Sequence, residues 1–237
     1  MENNIKNLNI YLRNIILELR YDPNPIILDL RGQLINRLIS DKKFKGYIWS
    51  LTDKGIVLND KESKDESLYT IIVEIDRLSY ISRTVASSED HFNRFKKILE
   101  LIFQSIDNVK LRRIGCRVQG VYKVLSKDYS KIFNSFKDQF KTNLFLNDFP
   151  SKDLKLLIEY ENGRYETGPI GKNDSFVRTN FPNNTNSSLV GIAIDTDNYV
   201  IFDDFEVDKN KIESNTKRIY DLSLTVEKTL YERMKEF

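Results

Sequence analysis

The stretch from Tyr69 to Leu125 constrains the fold more than any other. In Tyr69–Arg83 the residues Ile71, Val73 and Ile75 alternate with Ile72, Glu74 and Asp76. A period of two with β-branched residues predicts a strand with one drier face. Phe92, Phe95, Leu99, Ile102 and Ile106 then recur at steps of three and four, with Ile98 and Phe103 widening the stripe. That is an amphipathic helix, capped by Ser87 or Ser88, with Glu89 and Asp90 at its positive end. A second alternating run follows: Ile114, Cys116, Val118, Tyr122 and Val124 share one parity, and Arg113, Arg117, Gln119 and Lys123 the other. Strand, helix and strand each present one apolar face, so the helix must lie on the sheet.

The rest of the first 125 residues extends this unit. Ile10–Tyr21 predicts a strand in which Arg13 shares a parity with Tyr11, Ile15, Leu17 and Leu19. A helix is expected from Pro25, with Ile27, Leu30, Leu34 and Leu38 on one stripe. Gly46–Asn59 predicts a strand interrupted by a turn or bulge at Asp53-Lys54-Gly55, with Trp49 as a core or edge anchor. The order β-α-β-β-α-β is that of a split βαβ, ferredoxin-like lobe. Residues 126–237 read as a second α+β lobe, packed on the first or continuous with it. It has a helix over Lys127–Lys141, a connector at 143–153, and a strand turning at Glu161-Asn162-Gly163. A strand–turn–strand follows in Leu189–Phe205, with the turn at Thr196-Asp197-Asn198. The chain ends in a long helix, capped by Asp208, that carries Ile212, Ile219, Leu222, Val226 and Leu230. Residues 166–188, rich in Gly, Asn, Ser and Pro, predict a loop. The fold class expected is therefore α+β, two ferredoxin-like lobes with antiparallel sheets and a long C-terminal helix.

Composition narrows function mainly by exclusion. The 37 basic and 35 acidic residues leave a net charge of +2, too balanced to favour nucleic acid or an anionic membrane. No apolar run approaches the roughly 20 residues of a membrane span, and the polar start MENNIKNLN has no signal-peptide core. A cytoplasmic protein is expected. The single cysteine, Cys116, excludes an internal disulfide and lies on an apolar parity, the position of a buried thiol. The single histidine, His91, is expected at the surface in the first helical turn.

Two clusters can carry chemistry. Arg112, Arg113, Arg117 and Lys123 form the one basic concentration on a regular element, suited to phosphates or to cross-strand pairing with Glu18, Glu74 or Asp76. Asp195 and Asp197, two apart on a strand, could hold a divalent cation with Asp203 and Asp204; turn and helix-start chemistry is the simpler account of them. No cofactor is expected. The run Arg113-x-Gly115-x-Arg117, with Asp195-x-Asp197 downstream, resembles an uncharacterised, sporadically distributed prokaryotic family of similar length. The resemblance implies no known activity, only the pattern of accessory genes such as phage-defence loci. The expected function is a non-enzymatic scaffold or protein-binding subunit, working with a protein partner or as a homodimer. The alternatives are a nucleic-acid binder using Arg112–Lys123, and a metal-dependent phosphoesterase or nuclease using Asp195, Asp197 and Asp203.

Overall fold

A computed structural model describes residues 8–61, 67–84, 88–106, 109–140, 154–206 and 209–237. In chain order the elements are β1 (Ile10–Tyr21), α1 (Ile26–Asp29), α2 (Arg31–Ser40), β2 (Ile48–Thr52), β3 (Gly55–Asn59), β4 (Tyr69–Glu74), β5 (Arg77–Ser82) and α3 (Ser88–Phe103). They continue with β6 (Lys110–Tyr122), α4 (Tyr129–Gln139), β7 (Leu156–Tyr160), β8 (Gly163–Ile170), α5 (Ser175–Asn180), β9 (Gly191–Glu206) and α6 (Lys209–Met234). The nine strands form one open sheet, β2-β3-β4-β5-β1-β6-β9-β8-β7, and every neighbouring pair is antiparallel. The chain is thus a mixed α+β fold on a continuous antiparallel sheet, closed by a long C-terminal helix.

The stripe on α3 packs as its spacing predicts. Phe92, Phe95, Ile98, Leu99 and Ile102 are buried against Ile15, Leu17 and Leu19 of β1 and Ile114, Cys116 and Val118 of β6. Each such aromatic or branched side chain removed from water stabilises the fold by roughly 1.5–3 kcal/mol. Helix α2 joins the same cluster through Leu34 and Leu38, and α6 through Ile212, Ile219, Tyr220 and Leu224. Further along, α6 packs Leu230, Tyr231 and Met234 on Tyr122, Ile192 and Ile194, together with Ile132 and Phe136 of α4. The last helix therefore lies along one face and spans both clusters. The opposite face is covered, among the described residues, only at one end, where Phe176 and Val177 of α5 meet Val121 and Ala193.

Several local expectations change. Tyr69–Arg83 is a hairpin and not one strand, with Glu74 paired to Arg77 across Ile75-Asp76. Asp76 suits a turn and Ile75 does not; neighbours hold the turn in place. The Tyr21 and Asn24 amides donate to the Asp76 and Ile75 carbonyls, and the Ile75 amide donates to the Lys54 carbonyl. Asp53-Lys54 is a true two-residue hairpin loop between β2 and β3. The first 122 residues thus supply six strands where four were expected. The helix after Pro25 breaks at Leu30 into α1 and α2. The turn expected at Thr196-Asp197-Asn198 does not form, and β9 is one strand of 16 residues. The Asp197 and Asn198 side chains are engaged in tertiary contacts and do not fold back on their own backbone: Asp197 accepts from Arg113 at 2.8 Å, and Asn198 donates to Ser223 at 2.9 Å and accepts from the Tyr160 hydroxyl. Residues 166–170 of the expected loop belong to strand β8. Pro169 lies beyond the last β7 pair, Leu156 with Thr167, where its missing amide interrupts no bond to that strand. His91 is buried, 1% exposed, edge-on to Tyr69. The side-chain caps expected at Ser87, Ser88 and Asp208, and the connector 143–153, lie outside the described residues.

Candidate functional site: an arginine–aspartate lattice on the uncovered sheet face

The alternation of β6 sends Arg113, Gly115, Arg117 and Gln119 to the face opposite the large helices, and the register of β9 sets Ile201, Tyr199, Asp197 and Asp195 across from them in that order. Arg117 reaches diagonally to Asp195 with two bonds, Nε to Oδ1 at 2.8 Å and Nη2 to Oδ2 at 2.7 Å. This fork is the strong geometry for a guanidinium and a carboxylate. It holds the Arg117 pKa above its ordinary value, against the opposing effect of burial. Arg113 donates to Asp197 at 2.8 Å, lies 3.5 Å from Glu18 of β1 and stacks 4.7 Å over the Tyr199 ring.

Gly115 leaves room for that posture. A Cβ at this position would sit 3.2 Å from the Arg113 guanidinium carbon. Gly115→Val is expected to lift Arg113 from Glu18 and Asp197. The loss is on the order of 1 kcal/mol, because the groups are partly solvated, read as a lowered thermal midpoint. An unchanged midpoint in Gly115→Val together with an unchanged Arg113→Ala would show that the posture contributes nothing to stability.

Asn180, the last residue of α5, ties the lattice to the covered end of the face. Its Oδ1 accepts from Gln119 at 2.6 Å and its carbonyl from Asn14 at 2.9 Å, while Gln119 also donates to Asp195 at 3.1 Å. One chain of hydrogen bonds therefore runs Asn14–Asn180–Gln119–Asp195–Arg117 across β1, α5, β6 and β9. On the other side three half-buried isoleucines are interleaved with Thr70 and Ser79: Ile81 is registered with Ile16 and Thr70, and Ile72 with Ser79.

Of the expected basic residues, only Arg113 and Arg117 meet. Arg112 turns away to the edge of the molecule and forks to Asp22 at 2.6 and 2.9 Å. Lys123, six residues and roughly 20 Å beyond Arg117 along an extended chain, sits 4.8 Å over the Tyr11 ring. Asp195 and Asp197 point into arginines. Asp203 is exposed, six residues and about 20 Å further along β9 than Asp197, and the side chain of Asp204 lies outside the described residues. A cation at Asp195 and Asp197 would have to displace two guanidinium groups. Among the described residues no group of three His, Cys, Asp or Glu is placed to hold a metal ion.

Comparison with protein-family models, with curated proteins and with solved structures finds no match. The lattice is therefore described from its own geometry. The two short motifs of the sequence, Arg113-x-Gly115-x-Arg117 and Asp195-x-Asp197, are its two halves.

A second polar cluster, under α6, went unread in the sequence. Arg13 donates to Glu227 at 2.6 Å, both side chains fully buried, and the Tyr122 hydroxyl donates to the other carboxylate oxygen. Burial is the largest single influence on Arg13 and opposes its charge, but the Glu227 carboxylate with the Tyr122 and Tyr220 phenols together hold the pKa above its ordinary value. Burial also pushes the Tyr122 phenol well above its usual range. Ser223, one turn back, donates to the Cys116 carbonyl at 3.0 Å. Cys116 is fully buried, which pushes its thiol up to about 12 and leaves it the inert structural thiol its parity predicts.

Proposed function

We propose that the chain is a non-enzymatic binding subunit whose working surface is the uncovered face of the sheet, and that its ligand is a protein. The observation that carries this reading is the make-up of that face. Half-buried Ile16, Ile72 and Ile81 adjoin a lattice whose arginines are already neutralised by Asp195, Asp197 and Glu18. A partly apolar centre flanked by fixed charges of both signs suits a protein interface, where complementary charges set register. Phosphate binding, in contrast, calls for cations free to replace counterions.

Nucleic-acid binding through Arg112, Arg113, Arg117 and Lys123, and metal-dependent hydrolysis at Asp195, Asp197 and Asp203, stand as the alternatives. Each requires the ion pairs of the lattice to open. The cytoplasmic setting and the place in a prokaryotic accessory system, phage defence included, extend the sequence resemblance and form part of the proposal. We also read β1, β4, β5 and β6 with α2 and α3 as one split βαβ unit, supported by the strand order β4-β5-β1-β6, with the β2–β3 hairpin added at its edge. The order β6-β9-β8-β7 places β7 antiparallel to β6, so a second unit of the same kind would need a different connection.

The test is affinity capture from the native host with nuclease treatment, using the wild type and an Ile72→Lys, Ile81→Lys variant whose circular dichroism is unchanged. A stoichiometric protein that survives nuclease and is lost in the variant is expected. Recovery of nucleic acid, with affinity falling steeply as salt rises and abolished by Arg113→Ala with Arg117→Ala, would replace this reading with the second. Saturable Mn²⁺ binding lost in Asp195→Ala would replace it with the third.

A further inference from the structure

The sheet ends on one side at β2, which among the described residues pairs only with β3. This edge is open and unusually apolar. Ile48 is 44% exposed, Trp49 50% and Leu51 55%, within a strand whose five residues carry no charge. Alternate residues of an edge strand turn their N–H and C=O groups outward, a template for another strand, and natural edges are commonly protected by charge, proline or a bulge. The opposite edge, β7, has such protection in Glu159. β2 has none of these devices.

We infer that β2 is a homodimer seam, joining two copies of the chain by antiparallel β2–β2 pairing into one sheet of twice the width. The segment Ile48-Trp49-Ser50-Leu51-Thr52 is self-complementary about Ser50. On one face Trp49 lies opposite the partner copy's Leu51, and Leu51 opposite its Trp49; on the other Ile48 lies opposite Thr52. Aromatic–aliphatic cross-strand pairs of this kind are favourable, and no like charges are brought together. The symmetric join also closes on itself. Joining β2 of one copy to β7 of the next would bring Glu159 into the apolar row and would propagate without end. A specific interface of standard size covers roughly 800 Å² on each partner. A five-residue edge supplies less, so the dimer is a reversible one that dilution dissociates. The seam lies at the end of the sheet, away from the lattice, and does not depend on what that face binds.

Trp49 is the one tryptophan in the chain, so its fluorescence reports this edge directly. Analytical ultracentrifugation and emission spectra over a series from micromolar to millimolar protein should show a monomer–dimer equilibrium with a parallel shift of emission to shorter wavelength. Leu51→Lys should remain monomeric with an unchanging spectrum, and Ile158→Lys, on the β7 edge, should dimerise like the wild type. A wild type that stays monomeric to millimolar concentration overturns the inference, as does a Leu51→Lys variant that still dimerises. Open-ended growth suppressed by Ile158→Lys would do so too, by showing a β2–β7 join.

Discussion

Glu227→Ala should destabilise the chain by about 3–5 kcal/mol, because it leaves the Arg13 charge buried without its partner. Both side chains of the pair are completely inaccessible, and Arg13 already has its Nε and Nη1 without a hydrogen-bond partner among the described residues. Removing the carboxylate withdraws the single ion pair that offsets the desolvation of the guanidinium. In urea the midpoint should fall by roughly 2 M at a slope of about 2 kcal/mol per M. Replacing all three buried polar groups by apolar side chains of similar volume, Arg13→Met and Glu227→Leu with Tyr122→Phe so that no hydroxyl is orphaned, should recover most of the loss. A Glu227→Ala protein within about 1 kcal/mol of wild type, in the range of a surface ion pair, would show that water reaches this cluster.

Gly120→Ala should cost about 3 kcal/mol, an unusual sum for one methyl group, made up of overpacking and a lost hydrogen bond to a charged acceptor. Gly120 and Tyr122 share a parity on β6, and Gly120 pairs with Arg13. The Tyr122 ring lies back across Gly120 to bring its hydroxyl to Glu227. A Cβ at residue 120 would stand 2.3 Å from the Tyr122 hydroxyl oxygen and 2.5 Å from ring carbons, so the fully buried ring has to leave. In a Tyr122→Ala background the same substitution meets an empty space and should cost far less. The difference, measured as a double-mutant cycle by chemical denaturation, isolates the contact. An equal penalty in both backgrounds would place the strain elsewhere.

Much of the architecture was legible wherever side-chain period alone decides structure. The stripe of α3, the parities of β1 and β6, the hairpin at Glu161-Asn162 and the buried position of Cys116 all follow from local pattern. Several of the misreadings involve polar residues whose partners are distant in sequence. Asp76 is a turn residue, but the alternation around it hid the signal; Tyr21, Asn24 and Lys54 bind the backbone of Ile75-Asp76 and hold the turn. Asp197-Asn198 has turn chemistry but stays extended, since Arg113 and Ser223 hold its side chains. His91 is drawn under the sheet by Tyr69. At the lattice both motifs were visible, but the acids expected to pair with the arginines were Glu18, Glu74 and Asp76; of these only Glu18 meets Arg113, and the β6–β9 register brings Asp197 and Asp195 to the arginines instead. The buried cluster did leave a trace. Arg13 stood on the same parity as Ile15, Leu17 and Leu19, and Glu227 between Val226 and Leu230 on the final stripe. A charge on an otherwise apolar face is costly unless paired, and two such charges on elements bound for one core are natural partners.

That partnership also bears on how the chain is made. Arg13 and Glu227 are 214 residues apart, and at about 5–20 residues per second a ribosome takes on the order of 10–40 seconds to travel between them. Strand β1, which becomes the centre of the sheet, is thus synthesised first and neutralised last. Until α6 emerges the Arg13 end of the strand has no carboxylate to offset its burial, whereas Ile15, Leu17 and Leu19 further along it can already pack on α3.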